Sequence, residues 1–262
     1  NLGINQSGLN KNLEKLSSGY KINRAGDDAA GLAISESMRS QINGLNQAVS
    51  NANDAIGLIQ TAEGALTETH SMLQRLTTLA TQAANGTYNS VARGNIQVEV
   101  DRLLEEIDRI ANYTDFNGIK PLTNTGKGAV SAAKMTFQIG PSGSETITVS
   151  TVLMTSAGIK VKSINLEDIT AANKAIDTIN SAINQVSTYR AQLGAAQNRL
   201  EHTVNNLKVT SENITAAESR IRDTDMADEI TAFTKNNILL QASQSMLAQS
   251  NSVPQSVLSL LG

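Results

Sequence analysis

Few residues in this 262-residue chain are equipped for chemistry. There is no Cys, so disulfides, thiolate metal sites and a thiol nucleophile are excluded. The two His residues, His70 and His202, stand alone, and neither belongs to the H-E-x-x-H pair that places two imidazoles on one helix face. Gly26-Asp27-Asp28 offers two carboxylates, but adjacent residues do not share a helix face. Followed by Ala29-Ala30, Asp27 or Asp28 reads instead as a helix N-cap that accepts from free backbone N–H groups. Asp223, Asp225, Asp228 and Glu229 alternate like calcium ligands but lack the EF-hand Gly and the spaced terminal Glu. They too read as helix caps. No phosphate-binding lysine loop and no G-x-G-x-x-G is present. Four N-x-S/T sequons begin at Asn5, Asn85, Asn112 and Asn213, as chance provides in a chain rich in Asn, Ser and Thr. The residues therefore point to no catalytic site, no cofactor and no metal.

Composition points the same way. Charged residues are 17% and the net charge is −3, which argues against nucleic acid and against a polybasic membrane surface. Aromatics are 3% with no Trp, a poor supply for a small-molecule pocket. No segment approaches the roughly 18 consecutive apolar residues of a membrane span, so no membrane insertion is expected. The first residues, NLGINQSGLNKNLEKLSSG, contain neither an initiator Met nor the apolar core of a secretory signal, so the segment reads as processed or cut from a longer chain. Three Pro leave room for long helices. The chain reads as helical and structural.

The periodicity supplies the elements. From Ala172 every seventh residue is apolar, through Ile179, Val186, Leu193, Leu200, Leu207 and Ile214 to Ile221. A heptad stripe sustained this long predicts a coiled-coil-like helix. Its companion column starts as Ile169, Ile176 and Ile183 and then turns mostly polar, while Ala175, Ala182, Tyr189 and Ala196 form a neighbouring alternative. A second stripe, Ile42, Leu45, Val49, Ala52, Ile56 and Ile59, continues as Leu66, Leu73 and Ala80 and predicts a helix from about Asp28 to Ala84. Asn85 and Gly86 suit a left-handed C-cap for it. Ser90 is the expected N-cap of a third helix, with Ile96, Val100, Leu103, Leu104, Ile107 and Ile110 on one face and an expected Glu105–Arg109 pair on another. Met135, Phe137 and Ile139, then Ile147 and Val149, alternate with polar residues around a Gly/Pro/Ser loop, the pattern of a β-hairpin. Val152 to Val161 reads as a further irregular strand. The two ends carry Leu2, Leu9, Leu13 and Leu16, and a dense apolar set from Met226 to Leu261, with no nearby sequence to cover it. Such faces are satisfied by each other, by other copies, or by both.

These residues resemble bacterial flagellin. The resemblance is carried by LEKLSSGYKINRAGDDAAGLAISESMRSQINGL (Leu13 to Leu45), NANDAIGLIQTAEGAL (Asn51 to Leu66), LQRLTTLATQAANGT (Leu73 to Thr87), IQVEVDRLLEEIDRIANYTDFNG (Ile96 to Gly118) and SRIRDTDMADEITAFTKNNILLQASQSMLAQSN (Ser219 to Asn251). It implies a mainly α fold: a long antiparallel coiled-coil-like bundle with a small β-hairpin region, the chain folding back so that both termini pair. Residues 1–30 and 222–262 would form the inner filament core, and 31–221 a helical domain with the hairpin near 134–150. Leu122 to Ile164 leaves room for the hairpin and little else, so the resemblance is to a short form without outer variable domains. Family members usually start with further residues before the segment matching Asn1.

The resemblance implies a secreted structural subunit that self-assembles into the extracellular flagellar filament for motility. Head-to-tail contacts that do not close give filaments rather than rings. The residues expected to be buried between copies are Ile238, Leu239, Leu240, Leu247, Val257, Leu258 and Leu261. Partners implied are further copies of the chain, the flagellar cap and hook-junction proteins, an export chaperone on the C-terminal helix, the flagellar export apparatus, and a host Toll-like receptor. The family's receptor-contact motif maps onto Arg75, Leu79 and Glu99, with Thr77 and Thr78 departing from the charged residues often found there. The alternatives are a hook-filament junction protein, which shares the terminal helices but not usually this complete signature, and another coiled-coil structural adaptor, which would explain only the heptads.

Overall fold

The computed structural model describes residues 2–123 and 134–261, with side-chain surroundings given through residue 252. Five helices and one hairpin follow in the order α1 (Leu2–Ser18), α2 (Ala29–Ala83), α3 (Ser90–Tyr113), β1 (Lys134–Gln138), β2 (Thr146–Ser150), α4 (Ile169–Arg222) and α5 (Met226–Leu261). The chain forms two compact units, residues 44–209 and residues 1–43 with 210–262, and α2 and α4 contribute to both.

The larger unit is built on two Ala-rich seams. Along α2 a buried seam runs through Leu45, Ala48, Ala52, Ala55, Ile59, Ala62, Leu66, Thr69, Leu73, Leu76, Ala80 and Ala83 in an unbroken 3-4 spacing, with Leu58 and Leu79 buried beside it. One column matches the stripe read from the sequence. The other does not: Ile42, Val49 and Ile56 are only half-buried, and the column on the opposite side, with its small alanines, faces inward instead. Ala lets neighbouring backbones approach closely, so its column can hold the tightest packing although it is the less hydrophobic one. On α4 the same choice is made. Ala172, Ile179, Val186, Leu193 and Leu200 are paired with Ala175, Ala182, Tyr189 and Ala196, and Ile169 and Ile176 lie outside that seam. After Leu200 the buried partner becomes Val204, four residues on. Two successive steps of four insert a stutter, which locally unwinds the coil. The stripe then fades, with Leu207 buried and Ile214 and Ile221 half-buried.

α3 completes this core through Ile96, Val100, Leu104, Ile107 and Ala111. Its N-cap is Asn89, one residue before the Ser90 expected, and the Asn89 side chain accepts from Ala92 N–H at 2.8 Å. Its acidic residues pair one residue closer than expected. Glu105 bonds Arg102 and Glu106 bonds Arg109, both three residues apart, in place of a Glu105–Arg109 pair. Arg109 holds the Glu106 carboxyl below its usual range, and Glu106 raises the guanidinium in return.

The C-terminus of α2 needs no left-handed residue, for Arg93 caps it. Arg93 is buried on α3 and donates from Nε to the Ala83 carbonyl at 2.9 Å and from Nη2 to the Asn85 carbonyl at 3.2 Å. Asn117-Gly118 forms a tight two-residue turn. Both residues have positive φ (52° and 82°), and Phe116 and Ile119 exchange both backbone hydrogen bonds across it.

The hairpin pairs β1 and β2 antiparallel, Met135 opposite Val149 and Phe137 opposite Ile147. Met135, Ile147 and Val149 join the core, and Phe137 packs half-buried against it. At the connecting loop Gly44 of α2 lies under Pro141, where an added Cβ would stand 2.8 Å from the proline Cβ. Residues 152–161 form turns rather than a strand, yet bury Met154, Ile159 and Val161. Asp108 holds this segment by accepting from Ser156 N–H and Oγ–H, both at 2.7 Å.

The smaller unit is held differently. α1 packs against α5. Asp28 is the N-cap of α2, accepting from Gly31 N–H at 2.9 Å, whereas Asp27 accepts from Asn23 and Arg24 N–H and pairs with Lys11 at 3.0 Å. The lysine contact and those backbone bonds hold the Asp27 carboxyl below its usual range. Asp225 caps α5 by accepting from Ala227 and Asp228 N–H. Ser35 donates to Glu218 at 2.9 Å, Arg222 pairs with Glu36 at 3.1 Å, and its guanidinium lies 4.5 Å from the Tyr20 ring centre.

Candidate self-association interface

The terminal pair carries its apolar side chains outward. On α5, Met226, Ile230, Ile238, Leu239, Met246 and Leu247 are exposed, Ile238 by 60% and Met246 by 71%. On α1, Leu2, Ile4 and Leu13 are exposed. Between the helices lie mostly polar groups. Asn5 donates to Ser243 Oγ at 3.0 Å, Lys15 pairs with Glu229 at 3.4 Å, and Gly8 faces the Asn236 side chain. Leu9, Leu16, Phe233 and Leu240 are half-buried. A helix pair that leaves this many branched apolar side chains in water presents a surface for another protein.

Of the residues expected to lie between copies, Ile238, Leu239 and Leu247 are exposed and Leu240 is half-buried. Val257, Leu258 and Leu261 lie outside the residues whose side chains are described. Leu13, Ile230 and Met246, legible in the sequence as uncovered apolar residues of the two ends, are exposed on the same surface, and Ile4, which the sequence reading did not single out, joins them. Which side of a helix a neighbour covers was not legible.

The three residues of the receptor motif fall in the larger unit. Arg75 and Glu99 join α2 to α3 by an ion pair at 2.7 Å, with both side chains about half exposed. Leu79 is buried in the core at 2% exposure. The polar residues singled out for metal or catalysis are not brought together. His70 contacts Gln74 across one helical turn, His202 is exposed, and no group of three potential ligands exists among the described residues. Among the same residues no helix is long and apolar enough to cross a membrane. Two open grooves lie in the larger unit. One of about 640 Å³ is lined by Gln74, Thr81 and Tyr88, the other of about 510 Å³ by Asp54, Phe116 and Phe137. Neither combines the convergent polar groups and enclosure of a ligand site.

Comparison with known proteins decides the family. The bacterial flagellin N-terminal helical region matches residues 1–127, and the bacterial flagellin C-terminal helical region matches residues 176–261. The chain belongs to the bacterial flagellin family. It is 52% identical over 288 residues to a flagellin of Bacillus subtilis (strain 168), covering 99% of this chain and 95% of that protein. It is 50% identical over 271 residues to the flagellar filament 33 kDa core protein of Treponema phagedenis, covering 99% and 94%. Among solved structures it resembles Bacillus cereus flagellin, with a TM-score of 0.54 and 32% identity over 64% of this chain and 94% of that one. A hook-associated protein of Vibrio parahaemolyticus has a TM-score of 0.59 at 13% identity, covering 75% and 100%, a likeness of fold alone. Flagellins are structural proteins, and this one is a short form in which the hairpin occupies the place between the N- and C-terminal helical regions.

Proposed function

We propose that the apolar faces of α1 and α5 are the surface through which this chain polymerises. The chain is a structural subunit of the extracellular bacterial flagellar filament, and its first partner is another copy of itself. The observation that carries the proposed surface is the outward row Ile230, Ile238, Leu239, Met246 and Leu247 on a helix whose inner side is largely polar. Burying such side chains contributes about 25 cal/mol per Å² of apolar surface, which offsets the ordering cost of the terminal helices. On this reading residues 1–30 and 222–262 line the inner tube and 31–221 form the next layer. Folding upon association also suits a chain that is threaded through an export channel.

The cap and hook-junction proteins are further partners at the ends of such a polymer. An export chaperone that covers the C-terminal apolar face, and the export apparatus, complete the proposed set. For a Toll-like receptor the exposed Arg75–Glu99 pair is the proposed contact, with buried Leu79 supporting the helix beneath it. An Arg75→Ala variant that activates the receptor undiminished removes this contact from the proposal.

The test of assembly is electron microscopy of the purified protein in ammonium sulfate, with short filament seeds, since excluded salts strengthen apolar burial. Long tubes of uniform width are expected, lost in an Ile238→Ser/Leu239→Ser variant. Soluble monomers at every salt concentration, or tubes indifferent to that double change, overturn the reading.

A further inference from the structure

The apolar residues that flank the α1–α5 seam repeat every seven residues. On α1 they are the half-buried Leu9 and Leu16, and on α5 the half-buried Phe233 and Leu240, with exposed Leu2 and Leu247 continuing the spacing. Sliding one helix along the other by seven residues therefore brings leucine against leucine or phenylalanine again. The apolar contacts do not distinguish these registers. The polar ones do. Asn12 and Glu229 are the buried residues of this seam, and each is more than nine-tenths enclosed. Lys15 Nζ stands 3.4 Å from Glu229 Oε2, while Asn12 Nδ2 and Glu229 Oε1 have no hydrogen-bond partner. Gly8 gives room for Asn236, whose Nδ2 lies 3.2 Å from where a Cβ would be.

A seven-residue slide in one direction sets Lys15 opposite Asn236 and leaves the Glu229 carboxylate without its cation. The opposite slide carries Lys15 past the start of α5 and sets Glu229 opposite Gly8. Either way a buried charge loses its partner, the costly outcome for an ion pair withdrawn from water. A single polar position inside a coiled coil can specify register at some cost in stability. We propose that Asn12, Lys15 and Glu229 form a register lock, a polar cluster that fixes the axial position of α1 on α5 while the surrounding apolar residues remain indifferent to it. The two unpartnered polar atoms are the cost of that specificity. The lock lies within one chain, so it is read separately from filament assembly.

The absence of Cys makes the test clean. In the full chain, Asn5→Cys with Ser243→Cys reports the native register, because Asn5 Nδ2 and Ser243 Oγ are 3.0 Å apart. Asn5→Cys with Ser250→Cys reports the register slid by seven residues. Each pair is oxidised at low salt and in ammonium sulfate, and the internally looped monomer is quantified on a non-reducing gel. With the lock intact, the native pair is expected to exceed the slid pair by at least about tenfold, equivalent to 1.4 kcal/mol. Lys15→Glu should bring the two yields together, Asn12→Leu should narrow the gap, and the exchange Lys15→Glu with Glu229→Lys should restore it. Equal ratios in all backgrounds overturn the proposal, as do interchain dimers in place of looped monomers. If Lys15→Glu abolishes both products, the exchange decides. Recovery of the native pair supports the lock, and failure to recover it overturns it.

Discussion

The two units of this molecule bury opposite kinds of residue. Residues 44–209 bury whole columns of Leu, Ile, Val and Ala, and even their irregular segment contributes Met154, Ile159 and Val161. In residues 1–43 and 210–262 the buried described residues are Asn12, Ile22, Gly31, Ser35, Ser211 and Glu229, a set with a single large apolar side chain. The smaller unit is held by hydrogen bonds, ion pairs and one cation–π contact, and it leaves Ile4, Ile230, Ile238 and Met246 in water. Hydrophobic burial dominates folding. The larger unit therefore carries its own stability, and the smaller one has little apolar burial of its own to add to its polar contacts.

The largest expected effect tests that division directly. Leu73 is fully buried, and Leu73→Ala should cost about 2–5 kcal/mol in urea unfolding followed by circular dichroism. Leu239→Ser should change the unfolding of the unassembled chain by no more than about 0.5 kcal/mol, the usual range for a surface change. It should nonetheless raise the protein concentration needed for filaments. Equal destabilisation by the two variants would erase the distinction between the units.

How much of this was legible in the sequence differs between the units for the same reason. In the larger unit the heptad columns from Leu45 and Ala172, the hairpin and the helix limits could be read, because residue type and burial agree there. The second column of the α2 seam was misread, and on α4 the sequence left the choice between the Ile176 and Ala175 columns open. Ile56 and Ile176 are more hydrophobic than Ala55 and Ala175, and no periodicity reveals that small side chains win where backbones come close. Arg93 went unnoticed as a cap because its partners lie on another helix. In the smaller unit the apolar spacing of Leu2, Leu9 and Leu13 was visible, but the inward face is set by Asn5, Asn12 and Lys15 meeting α5. A sequence rule that sends leucines inward fails where polar residues occupy the inner face.

A second contrast concerns alkali. Tyr189 lies in the apolar seam of α4, with its hydroxyl enclosed, and burial pushes its pKa up to about 12 while the neighbouring Val152 backbone pulls the other way. The unfolded phenol ionises near pH 10. Between pH 10 and 12 the unfolded state has lost a proton that the folded state keeps, so folding stability falls by about 1.4 kcal/mol per pH unit over that window. Below pH 10 the contribution is constant. Tyr189→Phe should flatten the fall, seen in urea titrations at pH 9, 10 and 11, and should change stability at pH 7 by no more than about 1 kcal/mol. A variant that loses stability in alkali as steeply as the parent would place the effect on other groups.

The two enclosed arginines sharpen the comparison further. Arg93→Ala strips the carbonyls of Ala83 and Asn85 of their donor in a water-poor site, and should cost about 1–3 kcal/mol in global unfolding. Arg222 stacks on Tyr20 and pairs with exposed Glu36, so Arg222→Ala should cost less, on the order of 0.5–1 kcal/mol. The reverse order would mean that the smaller unit depends on its polar contacts more than its burial indicates.

The smallest effect is the most discriminating, because two caps of the same chemistry sit one in each unit. Asn89 caps α3 by accepting from Ala92 N–H, and Asp28 caps α2 by accepting from Gly31 N–H. Removing either side chain with Ala should cost about 1 kcal/mol of helix stability. What differs is where that loss appears. Asn89 belongs to the unit with the apolar core, so Asn89→Ala should lower the global unfolding free energy. Asp28 belongs to a unit that buries one large apolar residue and should open without the other. Local opening has its own free energy, below the global one. Asp28→Ala should therefore speed amide exchange in the first turns of α2 while leaving the urea midpoint of the core unchanged, and Asp28→Asn should restore slow exchange. If Asp28→Ala shifts the urea midpoint as far as Asn89→Ala does, the two units unfold as one, and the smaller unit is coupled to the core before any second copy binds.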